Sequence, residues 1–263
     1  MNIGLIIVGD EILSGKRQDK HLAKVIELLA ARGLQLAWAR YVGDDRPLIT
    51  AALGDALVGG DLVFSCGGIG ATPDDHTRQC AAAAWGLDLA LHPGARDLIQ
   101  ERMREVAAEN GLPYDPDRAD NQHRLNMGVF PLGATLIPNP FNKIAGFSLG
   151  HVHFVPGFPV MAWPMIEWVL DQHYAHLQGT APQIERSVIV FGAMEASLTP
   201  LMEDIEARFA GVKVFSLPSV DHPEWGRHIE LGVKAAGDPQ EAYAALRAGL
   251  MQFGARLGPE LVR

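Results

Sequence analysis

Three short apolar runs, each closed by glycines or acids and separated by stretches of helical periodicity, constrain the first third of this chain. Residues 3–8, Ile-Gly-Leu-Ile-Ile-Val, are almost continuously apolar and end in Gly9-Asp10-Glu11, as a strand buried on both faces does. Leu22, Val25, Ile26 and Leu29 follow at helical spacing after the cap Asp19, and Gly33 stops them. Leu36, Trp38, Arg40 and Val42 alternate as a second strand ending in Gly43-Asp44-Asp45. A helix opened near Pro47 turns Leu48, Ile49, Ala52, Leu53, Ala56 and Leu57 inward and ends at Gly59-Gly60. The third run, Asp61 to Ser65, leads into Gly67-Gly-Ile-Gly-Ala-Thr-Pro-Asp-Asp-His-Thr77 and an alanine-rich helix. The order β-α-β-α-β-α predicts a mostly parallel sheet with helices on both faces, a three-layer α/β/α fold.

The periodicity continues more loosely beyond Trp85. Leu98, Ile99, Met103 and Val106 give an amphipathic helix over residues 95–110, and Asp120 to Arg124 form a dense polar cluster. Strand-like pieces at Thr135 to Ile137 and Val152 to Val155 flank an ordered loop, Asn139 to Gly146, and Pro156-Gly-Phe-Pro159 turns into an aromatic-rich helix ending near His176. His151 and His153 read as polar residues flanking a strand. Residues 178–183 have turn chemistry without apolar rhythm and make the natural linker between a domain at 1–177 and a smaller one at 184–263. In the smaller domain, Ser187 to Phe191, Val212 to Leu217 and His228 to Ala235 read as strands. Thr199-Pro200 reads as a helix start and Asp238-Pro-Gln-Glu241 as a capping box, an α+β order of β-α-β-β-α.

A net charge of -9, from 22 basic and 31 acidic residues, supplies no basic face for a nucleic acid. Two cysteines, Cys66 and Cys80, make neither a disulfide framework nor a zinc site. The first apolar run lacks a basic preface and is too short for a signal or a membrane span, so a soluble cytoplasmic protein is expected, without a membrane partner.

Ligands of open α/β sheets bind outside the carboxyl ends of the strands. Those ends carry Asp10 and Glu11, Asp44 and Asp45, and the loop from Gly67 to Asp75. Glycines 67, 68 and 70 free the backbone to approach an anion at a helix start, and Asp74 and Asp75 suit either helix capping or a divalent cation. Each acid alone is most simply a cap or turn residue; together the three positions favour a site. No G-x-G-x-x-G follows the first strand, which disfavours a Rossmann dehydrogenase.

The loop from Gly67 to Thr77 resembles the signature of the molybdopterin-binding domain family, shared by molybdenum cofactor biosynthesis proteins and by the amino-terminal part of the competence and damage-inducible protein CinA. Val8-Gly-Asp-Glu-Ile-Leu-Ser-Gly15, Val42-Gly-Asp-Asp45, Asn139-Pro140 with Gly146-Phe147, and Val155-Pro-Gly-Phe-Pro159 match as well. The resemblance covers residues 1 to 175, and the tail is similar to the small KH-like domain of CinA. It ends before CinA's amidohydrolase domain, so no deamidase activity is expected of these residues.

The resemblance implies that Gly67, Gly68, Gly70 and Thr72 hold phosphate, and that Asp44, Asp74 and Asp75 meet pterin N–H groups or Mg2+. Asp44 and Asp75 are then the expected metal and catalytic residues. Asp10, Glu11, Asn139 and Gly157 fall in the matching strand-end loops, and His123 and Arg124 follow a helix where the family places polar residues near its ligand. The run Asn139 to Phe147 departs from the small, flexible stretch usual in CinA relatives, and its Lys143 is either a point charge for phosphate or a solvated lysine. Phe158 either stacks on a ring or packs on the sheet end. The implied ligand is molybdopterin or a nucleotide. The implied chemistry is Mg2+-dependent hydrolysis of a pyrophosphate such as ADP-ribose, or nucleotidyl transfer. The alternative is a noncatalytic molybdopterin carrier. Relatives commonly associate, so a homo-oligomer is expected.

Overall fold

A computed structural model describes residues 1–178 and 183–263; the central residues of the expected linker, 179–182, lie outside the described part. The chain divides into two compact units, Met1–Leu177 and Gln178–Arg263.

The first unit runs β1 (Ile3–Val8), α1 (Asp10–Leu13), α2 (His21–Ala30), β2 (Trp38–Val42), α3 (Arg46–Gly59), β3 (Leu62–Cys66), α4 (Thr77–Trp85) and β4 (Leu89–Leu91). It continues with α5 (Pro93–Glu109), α6 (Ala119–Leu125), β5 (Val129–Pro131), β6 (Thr135–Ile137), β7 (Gly146–Leu149), β8 (Val152–Val155) and α7 (Pro159–His173). The sheet order is β2-β1-β3-β8-β7-β6, and the first four of these strands are parallel. The antiparallel pairs β8-β7 and β7-β6 complete the sheet, and β4 and β5 pair separately.

Every residue of β1, β3 and β8 is buried, which explains why these runs lack polar alternation. The period of two nevertheless sorts their side chains. Ile6, Val8 and Val63 pack with Ile49, Leu53 and Cys80 beneath α3 and α4, while Leu5, Ile7 and Phe64 pack with Val25, Leu29, Ile166 and Leu170 beneath α2 and α7. Two cores on opposite faces of one sheet make the three expected layers.

Several local expectations are corrected. Ile26 and Leu48 are exposed, and Leu28 takes an inward place on α2. Helical spacing marks a stripe but not its edges. Residues Gly146–Leu149 form a strand, unread in the sequence, that begins at the last residue of the expected loop; in it Phe147 stacks between Phe130 and Phe154, with ring centroids 4.7 and 4.4 Å apart. The aromatic-rich helix stops at His173, short of His176. His153 does not flank a surface; it is 2% exposed, with Ser148 Oγ 2.8 Å from Nδ1 and Tyr174 Oη 2.9 Å from Nε2.

The second unit runs β9 (Gln183–Phe191), α8 (Glu195–Arg208), β10 (Lys213–His222), β11 (Gly226–Ala236), α9 (Gln240–Gln252) and β12 (Arg256–Val262), an antiparallel sheet of order β10-β11-β9-β12. Helix α8 starts a turn before Thr199-Pro200, so Pro200 lies inside it. Helix α9 starts at Gln240, one residue after Pro239, and the Asp238 carboxylate pairs with Arg186 (Nε–Oδ1 2.6 Å). Strand β12, unforeseen because Gly258 and Pro259 interrupt its pattern, fills the sheet edge beside β9.

Candidate functional site

The parallel register Val8 to Val42, Ile7 to Cys66 and Cys66 to Val155 brings four strand ends level. The loops after β1, β2, β3 and β8 therefore meet at one edge of the sheet. There the glycine loop is forced into shape. Gly67 has φ +106°, and a Cβ on it would lie 2.3 Å from the Val8 carbonyl oxygen; Gly68 has φ +68°, with Thr77 Oγ1 2.2 Å from its would-be Cβ. Thr77 fastens the loop to α4. Its N–H donates to the Gly68 carbonyl at 2.9 Å and its hydroxyl to the Gly67 carbonyl at 3.0 Å. Among the described residues, the main-chain N–H groups of Gly68, Ile69, Gly70 and Ala71 donate to no protein acceptor. Successive unpartnered N–H groups are what an anion-binding concavity requires.

Residues 68–72 line a cavity of about 350 Å3 with Asp75, Met127, Asn139, Asn142, Gly157, Phe158 and Met161. Behind the loop lies Arg78, 4% exposed, donating to the Gly70 carbonyl at 2.6 Å and also to the Asn126 carbonyl. Burial lowers its pKa, opposed by the charge of Asp75. This cation ties the loop to the segment that carries Met127.

The acids divide into distinct roles. Asp10 and Asp44 clasp each other's backbone, the Asp10 N–H donating to Asp44 Oδ2 at 2.8 Å and the Asp44 N–H to Asp10 Oδ1 at 3.2 Å. Asp45 caps α3 through the Leu48 N–H at 2.9 Å. Burial raises the Asp44 pKa; the hydrogen bond from Asp10 opposes this, and the charges of Asp10, Glu11 and Asp74 add to it. Asp75 turns back into its own loop, its Oδ2 accepting from the Thr72 N–H at 2.8 Å and the Thr72 hydroxyl at 2.6 Å.

Among the described residues, no three His, Cys, Asp or Glu side chains converge to hold a metal. One oxygen of Asp44 and one of Asp75 are engaged in hydrogen bonds and the other of each carries none. Either free oxygen could serve as one hard ligand to a Mg2+ that takes its remaining ligands from phosphate and water; no all-protein cage is present among the described residues.

The remaining expected residues fall in different places. Asn139, 4% exposed, spends its amide on the loop: Nδ2 donates to Asn142 Oδ1 at 2.8 Å and to the Ile144 carbonyl at 3.0 Å, and Oδ1 accepts from the Phe141 N–H at 3.0 Å. Gly157 and Glu11 line a neighbouring cavity, of which Gly157 is also the shared wall. Lys143 has φ +65° and pairs with Glu101 (2.7 Å) and with Glu105, so its charge is spent on α5. His123 is exposed, and Arg124 lines a separate cavity of about 190 Å3 with Met103 and Tyr114. Arg78, Asn142, Met127 and Met161 escaped the sequence reading. Arg78 alone carried a signal, since Ala81 and Ala82, three and four positions on, share its buried face of α4.

A three-layer α/β unit with a glycine loop and acids at the ends of its parallel strands defines an α/β domain whose candidate site lies at the strand ends. The family described as the probable molybdopterin binding domain matches residues 4–176, and the chain belongs to it. Within that family it is similar to CinA-like proteins. It is 33% identical over 220 residues to one from Syntrophotalea carbinolica, covering 80% of this chain and 51% of the relative. To one from Geobacter sulfurreducens it is 31% identical, covering 100% of this chain and 61% of the relative. The chain thus spans about half to three fifths of these curated relatives. A crystal structure of CinA from Thermoplasma acidophilum, titled as of unknown function, aligns with TM-score 0.55 and 28% identity over 65% of this chain and 98% of that one.

Proposed function

We propose that the first unit binds a phosphate-bearing pterin or nucleotide, the phosphate in the cradle Gly68–Ala71 and the ring in the adjoining cavity. The run of unpartnered loop N–H groups carries this reading. The lining supports the rest: Met127, Met161 and Phe158 offer an apolar slot suited to a planar heterocycle, beside Asn142, whose amide oxygen is already held by Asn139 and the Ile144 N–H. The free oxygens of Asp44 and Asp75 accept from ring N–H groups or hold Mg2+. When bound, Mg2+ would screen acids from phosphate and stabilise charge at the reacting oxygens. The catalytic extension is hydrolysis of ADP-ribose, in which water adds to one phosphorus and the bridging oxygen leaves, giving AMP and ribose 5-phosphate.

Buried Cys66 is not a nucleophile for this chemistry; its thiol pKa is raised by burial and by the charge of Asp19. Both cysteines are free and buried, which accords with work in the cytoplasm. Among the described residues no helix is long and apolar enough to cross a membrane. The net charge of -9 argues against nucleic acid, and a homo-oligomer is the working state proposed.

The test is calorimetric titration with ADP-ribose and with molybdopterin, with and without Mg2+, alongside an assay for AMP. Saturable binding of either ligand, weakened in Gly70→Val, is expected. AMP release that falls at least tenfold in Asp44→Asn would establish catalysis. Binding of molybdopterin with no nucleotide turnover would assign the carrier role. No binding of either ligand refutes the proposal.

A further inference from the structure

A second cavity, of about 360 Å3, lies across the Gly157-Phe158 wall from the cradle, and its lining includes Glu11, Arg17, Lys20 and His21. Its chemistry differs from that of the first. The cradle's cavity has no basic side chain in its lining, whereas this one presents two cations, Arg17 and Lys20. Both are exposed, and among the described residues neither side chain has an ion pair or hydrogen bond, although most arginines of the chain are engaged with carboxylates or carbonyls. His21 is 5% exposed; its Nε2 lies 2.9 Å from the Gly157 carbonyl, and its Nδ1 has no partner. A buried ring nitrogen left without a partner marks a place where a polar group is missing. The one acid lining the cavity, Glu11, works against an anion but accepts hydrogen bonds from hydroxyls.

We infer that this cavity is a second subsite, which takes a phosphorylated, hydroxyl-bearing group: phosphate on Arg17 and Lys20, hydroxyls on Glu11. Arg17 supplies a planar fork and Lys20 a point charge, both suited to phosphate oxygens. A ligand that reaches over Phe158 then has its ring half at the glycine loop and its sugar phosphate half here. That pairing rests on the ligand reading proposed for the cradle; the charge chemistry of the second cavity does not.

The test uses the full chain and two small probes, ribose 5-phosphate and ribose, with AMP as the probe of the cradle. Wild type is expected to bind ribose 5-phosphate more tightly than ribose, with affinity that falls as salt rises. The double variant Arg17→Gln, Lys20→Gln is expected to lose about tenfold or more in ribose 5-phosphate affinity while AMP binding changes less than twofold. Because both side chains are exposed and unpaired, the variant's melting temperature should match wild type.

Unchanged ribose 5-phosphate affinity in the double variant overturns the subsite, as does failure of wild type to bind that probe. Displacement of ribose 5-phosphate by AMP also overturns it, because it would put both probes in one place. Loss of AMP binding in wild type, with ribose 5-phosphate binding intact, would overturn the cradle reading and leave the subsite standing.

Discussion

Replacing Gly67 by alanine tests the cradle's geometry with the least chemistry. The native φ of +106° is open to glycine and strained for any other residue. The new Cβ would lie 2.3 Å from the Val8 carbonyl oxygen, which belongs to a strand paired on both sides and cannot give way cheaply. The conformational cost is about 1–3 kcal/mol, and forced overpacking of a dense site adds about 1–3 kcal/mol. The loop's alternative is to move outward, which would break the 3.0 Å bond from the Gly67 N–H to the Val155 carbonyl. Gly15→Ala is the control. Its φ is +72° and nothing lies within 4 Å of its would-be Cβ, so only the left-handed penalty of about 1–2 kcal/mol applies. Urea unfolding followed by fluorescence should rank Gly67→Ala below Gly15→Ala by at least about 1 kcal/mol, with ADP-ribose or molybdopterin binding lost in the first and retained in the second. Equal destabilisation, with binding intact in both, would refute the idea that this glycine shapes the site.

Other outcomes follow from single residues. Burial, aided by the charges of His173 and His151, lowers the His153 pKa to about 3. The unfolded chain therefore takes up a proton near pH 6.5 that the folded chain refuses, and stability falls by up to about 1.4 kcal/mol per pH unit from about pH 6.5 towards pH 3. His153→Asn should flatten that slope relative to wild type in urea titrations across this range; an unchanged slope would contradict the buried, neutral imidazole. Asp75→Asn should weaken ligand binding about tenfold with little change in melting temperature, because Asp75 orders Thr72 within a half-exposed loop and not the core. Arg78→Met should cost about 1–3 kcal/mol of stability, since it leaves the Gly70 and Asn126 carbonyls without their donor. Lys143→Gly should leave ligand affinity within twofold of wild type, because the lysine's charge is already held by Glu101 and Glu105.

The parallel sheet was legible because its strands are buried on both faces, so Ile3–Val8 and Leu62–Cys66 appear as unbroken apolar runs between glycine stops. Strands that depend on tertiary partners were not. Phe147 is held by a ring stack whose other members lie in β5 and β8, and no local pattern reports such contacts. At the candidate site, the positive φ of Gly67 and Gly68 and the placing of Asp10 and Asp44 at strand ends were legible, because glycines and acids closing apolar runs follow from local chemistry. Arg78 was missed because its only sign, the shared face with Ala81 and Ala82, is weak in a helix where alanine occupies every face. The return of the Asp75 carboxylate to Thr72 was equally hidden, since it depends on the turn geometry of the loop and not on residue type.

The most direct measurement is the amide NMR spectrum of the protein titrated with ADP-ribose and, separately, molybdopterin. The account predicts that, for the ligand that binds, the N–H resonances of Gly68, Ile69, Gly70 and Ala71 show the largest saturable shifts, downfield as they begin to donate to phosphate. Saturable binding of both ligands with those four resonances unmoved would contradict it.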